Sequence, residues 1–132
     1  MKIFKFLCIG AFIVCSSNSS ADTSPQIDNT IAKEVYEKAC ELKDGDGCLL
    51  FGVLYAQGHS VSQDYQQASV YYQKACEFKE GEGCLFLGFL YAKGQGVSKD
   101  YQQAKTYYEK ACELGEQSGC NLYKELNEKL GE

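Results

Sequence analysis

The sequence predicts an all-α domain, a solenoid of antiparallel helix pairs, and three observations carry that prediction. The first is a period. Shifted by 36 residues, GHSVSQDYQQA (58–68) falls on GQGVSKDYQQA (94–104), and Tyr71, Tyr72, Lys74, Ala75, Cys76 and Glu77 fall on Tyr107, Tyr108, Lys110, Ala111, Cys112 and Glu113. A fixed period between 20 and 50 residues is the mark of a repeat array. The second is that each period holds two apolar patterns with helical spacing. The third is that no segment alternates with the two-residue period of a strand.

Taken in order, the chain opens with MKIFK, an apolar run over residues 6–15, and the polar SSNSSADTS. A basic start, a short apolar centre and small residues at Ser19 and Ala21 predict a secretory signal over 1–21, cut after Ala21. The run is about half the roughly 20 residues a membrane-spanning helix needs. A lipoprotein signal with Cys15 acylated is the alternative; the bulk of Val14, where lipid attachment wants a small residue, argues against it. Removing the signal would leave 111 of 132 residues and six of eight cysteines, and would move the net charge from −5 to −7. Residues 22–28 read as a linker and 29–132 as the repeat domain.

Within the repeats, one helix begins after an N-cap aspartate, Asp64 or Asp100. It carries Ala68, Tyr72 and Ala75 on a single face. Upstream, Tyr36, Lys38, Ala39, Cys40 and Glu41 keep the same register. The other helix follows a glycine-rich break and runs through Leu85, Leu87, Gly88, Leu90 and Tyr91 until Gly94 and Gly96 end it. Gly52 and Gly88 sit inside these helices at a cost of about 1 kcal/mol each. That cost implies a neighbouring helix at close approach.

The cysteines repeat with the same period, as Cys40/Cys48, Cys76/Cys84 and Cys112/Cys120. Eight residues of unbroken helix would part their Cα atoms by about 12 Å, beyond the roughly 7 Å a disulfide tolerates. The intervening KDGDG, KEGEG and GEQSG supply the break, so each pair is expected to clamp the end of one helix to the start of the next. Six cysteines in a small secreted domain read as disulfides. Zinc spacing and a base beside a catalytic thiol are both missing, so neither metal nor cofactor is expected. The chain has no arginine and a net negative charge, which excludes nucleic acid and acidic membrane surfaces as partners.

LGxxY (87–91) followed by GxGVxxDYxxAxxYYxxA (94–111) resembles a Sel1-like repeat, a relative of the tetratricopeptide repeat. The copy over 50–75 is close, with Phe51 in place of the leading leucine. A cysteine pair in every repeat narrows the resemblance to the Helicobacter cysteine-rich proteins, over residues 29–130. The resemblance implies a right-handed solenoid, a monomer, and a secreted or periplasmic location. It also implies β-lactam binding with weak β-lactamase activity, and recognition by host immune cells. The chain departs from the pattern at both ends, where the 29–30 region and Asn121-Leu122-Tyr123-Lys124 read as caps.

The residues offer no catalytic constellation. A serine β-lactamase uses Ser-x-x-Lys with a Lys-Thr-Gly strand opposite, and neither string occurs. The nearest echoes, Thr30-Ile31-Ala32-Lys33 and Lys105-Thr106-Tyr107, fall in predicted helices. The single histidine, His59, lies in a turn where the next repeat has Gln95. By tetratricopeptide analogy, the inner groove is lined by the first helix of each repeat. That places Asp46, Leu49, Val53, Ala56 and Gln57 there, then Glu82, Leu85, Phe89, Ala92 and Lys93, then Ser118, Asn121, Glu125, Glu128 and Lys129. Such a groove could take a protein, an extended peptide, a cell-wall fragment or a β-lactam, whose carboxylate would need Lys93 or a backbone N–H. Tyr55, Tyr72, Tyr91 and Tyr108 are expected in the core. A binding module and a slow hydrolase are both left standing.

Overall fold

A computed structural model describes residues 29–132. The expected signal, Cys15 and the linker lie outside the described residues. Six helices follow one another: α1 (Asn29–Glu41), α2 (Gly45–Gln57), α3 (Tyr65–Glu77), α4 (Gly81–Lys93), α5 (Tyr101–Glu113) and α6 (Gln117–Leu130). No strand occurs among the described residues. Residues Lys33–Glu132 pack as one unit, in which every helix from α2 onward packs on the next. The helices α2, α4 and α6 form one layer, with α2 touching α4, and α3 and α5 share a hollow on the other.

The caps explain where the helices start. Asp64 Oδ1 accepts from the N–H groups of Gln66 and Gln67 at 3.0 and 3.1 Å, and Asp100 does the same for Gln102 and Gln103. These bonds satisfy amides that the first turn leaves without helical partners. Asp44 caps α2 through Asp46 N–H at 3.1 Å. At the same position before α4 and α6, Glu80 and Glu116 make no side-chain cap bond.

The sharp reversal at each cysteine pair is a Schellman turn. Glu80 N–H donates to Ala75 O and Lys79 N–H to Cys76 O, at 2.9 and 3.0 Å, and the same bonds recur at Asp44/Lys43 and Glu116/Gly115. The motif places its C′ residue in the left-handed region. That residue is Lys43 (φ 66°), Lys79 (φ 69°) and only in the last copy glycine, Gly115 (φ 99°). Glycine-rich though the stretch is, lysine makes the turn in two of the three copies. Gly45, Gly47, Gly81 and Gly83 have already entered the next helix.

The glycines before the second cysteines serve contact instead. A Cβ on Gly83 would lie 2.6 Å from Ala75 Cβ and 3.0 Å from the Tyr72 carbonyl oxygen. With the helices this close, the Cα atoms of each cysteine pair stand 4.4–4.6 Å apart and the three bridges Cys40–Cys48, Cys76–Cys84 and Cys112–Cys120 close. Gly52 and Gly88 admit the rings of Tyr72 and Tyr108, as their helix-interior position implies. Around these rings the core gathers Leu49, Ala68, Ala75, Leu87 and Leu90 in one cluster, and Leu85, Ala104, Ala111 and Leu126 in the next.

Candidate functional site

The layer of α2, α4 and α6 carries two hollows related by the repeat. The first, about 360 Å³, is lined by Leu49, Leu50, Val53, Ala56, Gln57, Tyr72, Glu82 and Phe86. The second, about 140 Å³, is lined by Ala92, Tyr101, Tyr108, Leu122, Glu125, Leu126 and Lys129. Ala56 and Ala92, Tyr72 and Tyr108, and Phe86 and Leu122 are pairs 36 residues apart. Residues at i, i+4 and i+7 share a helix face, which is how Leu49, Val53 and Ala56 line one wall.

Chemically the hollows are apolar, with a phenol at the floor and charge at the rim. Burial pushes the Tyr72 hydroxyl up to about 12, helped by Tyr65. Burial does the same for Tyr108, also to about 12, with Glu125 adding to it. Both phenols therefore stay protonated at neutral pH and can donate or accept a hydrogen bond. Glu82 lies on the rim of the first hollow, and Glu125 and Lys129 on that of the second.

The sequence-derived groove residues divide. Leu49, Val53, Gln57 and Glu82 come together in the first hollow. Leu85, buried to the same 7 % exposure as its repeat counterpart Leu49, borders neither hollow. Phe89 is half-buried, edge-on to Tyr108 at 5.7 Å. Lys93 and Asn121 are exposed, and Asn121 Oδ1 accepts from Gln117 Nε2 at 3.2 Å. Tyr72 and Tyr108 are core residues that also reach the hollows. Tyr55 and Tyr91 are half-buried, stacked on Tyr71 and Tyr107 at 5.9 and 5.7 Å. The analogy missed Leu50, Phe86 and Leu122. Their signal was present, since an apolar residue recurs at that position in all three copies, 36 apart.

The two echoes of catalytic strings lie on helices and have local partners. Thr106 Oγ1 donates to Gln102 O at 3.0 Å, Lys105 is paired with Glu132, and Lys33 with Glu37 at 3.7 Å. The buried Ser69 donates to Gln66 O at 2.7 Å. Among the described residues no group of three or more His, Cys, Asp or Glu could hold a metal ion, and no helix is long and apolar enough to cross a membrane.

The Sel1 repeat profile matches residues 16–44, 46–77 and 81–116. HcpC of Helicobacter pylori strain J99 is 41% identical over 78 residues, covering 50% of this chain and 26% of HcpC. Beta-lactamase HcpA of the same strain is 39% identical over 76 residues, covering 50% of this chain and 30% of HcpA. The matched segment thus spans between a quarter and a third of these relatives. Among solved structures, the Helicobacter pylori cysteine rich protein B superposes with a TM-score of 0.72 at 39% identity, covering 78% of this chain and 77% of that one. A Sel1 repeat protein from Oxalobacter formigenes superposes at 0.65 with 29% identity, covering 67% and 37%.

Proposed function

Because the chain belongs to the Sel1 repeat family, and within it is homologous to the cysteine-rich proteins of Helicobacter, we propose that it is an extracytoplasmic binding module whose α2–α4–α6 face captures an extended ligand without covalent chemistry. The observation that carries this reading is a pair of apolar hollows on this face that share three repeat-related lining positions, Ala56/Ala92, Tyr72/Tyr108 and Phe86/Leu122. A ligand that crosses the helices would meet an alanine, a neutral phenol and a large apolar side chain in each hollow. The ligand classes that fit are a peptide, a cell-wall fragment or a β-lactam, with its apolar parts in the hollows and its polar groups on the phenols and rim. Three disulfides fit an oxidising compartment, reached through the signal over 1–21. A rigid, cross-linked face also binds at less entropic cost than a mobile one.

A second reading, slow β-lactam hydrolysis, is favoured by the name of the relative Beta-lactamase HcpA. Without a nucleophile–base pair, such turnover would rest on orientation and carbonyl polarisation alone, which yields far less than a complete constellation. The test is steady-state hydrolysis of a chromogenic β-lactam by the oxidised chain beside a reduced, heat-unfolded control. Binding without turnover supports the module. Turnover that vanishes on unfolding supports the hydrolase.

A further inference from the structure

A third hollow, about 370 Å³, lies on the other layer, between the C-terminal halves of α3 and α5. It is lined by Glu77, Lys79, Tyr107, Lys110, Glu113 and Leu114, with the Cys76–Cys84 bridge and Gln73 completing the wall. It holds two ammonium and two carboxylate groups beside the Tyr107 ring and Leu114, more charge than either hollow of the opposite face. None of the four charges is neutralised by another: the ion pairs among the described residues are Lys33–Glu37, Lys38–Glu41 and Lys105–Glu132. Tyr107 is fixed between the stacked ring of Tyr91 at 5.7 Å and the Lys110 ammonium at 5.1 Å. Glu77 is held by Gln73 Nε2 at 3.3 Å. The Cys76–Cys84 bridge ties the end of α3 to the start of α4, which fixes the wall.

Opposite charges left apart around a hollow of this size suit a ligand that carries both signs itself. Small-molecule sites begin at about 300 Å³, so the space suits something the size of a dipeptide. We infer that this outer hollow is a second binding site, for a short zwitterionic peptide. The peptide's carboxylate is received by Lys79 and Lys110, its ammonium by Glu77 and Glu113, and its apolar side chain by Leu114 and the Tyr107 ring. The site is independent of the α2–α4–α6 face.

The test is NMR titration of the oxidised, isotope-labelled chain with alanyl-leucine and with the same dipeptide acetylated and amidated at its ends. The expected result is saturable shifts confined to the amides around residues 73–79 and 107–114. Blocking the termini should weaken binding at least about tenfold, the worth of one charge-assisted hydrogen bond. Glu77→Gln and Lys110→Gln, both exposed and checked for unchanged melting, should each weaken it comparably, and Phe86→Ala on the other face should not. Shifts that fail to saturate, equal binding of the blocked dipeptide, indifference to both charge-removing variants, or shifts centred on Leu50 and Phe86 would each overturn the assignment.

Discussion

Gly88→Ala should destabilise the protein, although alanine is the better helix former. A Cβ built on Gly88 stands 2.6 Å from Tyr108 Cε1 and 2.7 Å from its Cδ1, well inside contact distance. The ring cannot slide away freely. Tyr108 is 4 % exposed, edge-on to Phe89, and packed in the cluster of Ala104, Ala111 and Leu126. Overpacking of this kind costs about 1–3 kcal/mol, against about 1 kcal/mol gained in helix propensity. The net expectation is a loss of about 1 kcal/mol, which lowers Tm by about 4–8 °C in a domain of this size. Calorimetry or denaturant titration of both proteins reads it directly. In a Tyr108→Val background, where the side chain ends short of the ring positions, the same substitution should instead stabilise by up to about 1 kcal/mol. A Gly88→Ala protein more stable than the wild type would refute the claim that the glycine exists to admit the ring.

Lys43→Gly should raise stability by up to about 1 kcal/mol, measured by denaturant midpoint, because it relieves a left-handed φ of 66° at a Schellman turn. Removing one bridge by Cys76→Ser/Cys84→Ser should cost about 2.5 kcal/mol in the chain-entropy model, a Tm drop of roughly 10–20 °C. Graded reductant followed by mass mapping should open Cys112–Cys120 first, since its sulfur residues are partly exposed while those of the other bridges are buried. In alkaline titration, Tyr72 and Tyr108 should ionise near pH 12. Their raised values mean that their contribution to stability is whole below pH 10 and is lost as pH climbs through 12. Tyrosinate absorbance followed with far-UV circular dichroism would show whether their ionisation coincides with unfolding.

The helices were legible because three independent signals repeat in register: the Asp64/Asp100 caps, the Ala68-Tyr72-Ala75 face and the cysteine pairs. The tight helix contact at Gly52 and Gly88 was legible too, because a glycine inside a helix has a cost that only proximity explains. The turn chemistry was not. KEGEG looks like a glycine turn, yet Lys79 takes the left-handed position while Gly83 is pressed on Ala75, and nothing in composition separates those two demands. The face was half legible. Position-by-position analogy reached Leu49, Val53, Ala56, Gln57 and Glu82 around the first hollow and Ala92, Glu125 and Lys129 around the second, but also named Leu85, which has the 7 % exposure of its repeat counterpart Leu49 yet borders neither. Leu49 and Leu85 occupy one repeat position, so the period cannot say which of them borders a hollow. The outer hollow was not legible at all, because its residues come from α3, α5 and the turn after α3, and only packing unites them.

As proposed above, the α2–α4–α6 face binds its ligand without forming a covalent bond. The most direct measurement is titration of the oxidised, isotope-labelled chain with excess benzylpenicillin by NMR, followed by the intact mass of the recovered protein. Reversible, saturable shifts around Leu50, Val53, Phe86 and Leu122 that Phe86→Asp abolishes are expected, with an unchanged mass. A stoichiometric adduct on a single serine, or saturable shifts that avoid this face, would contradict it.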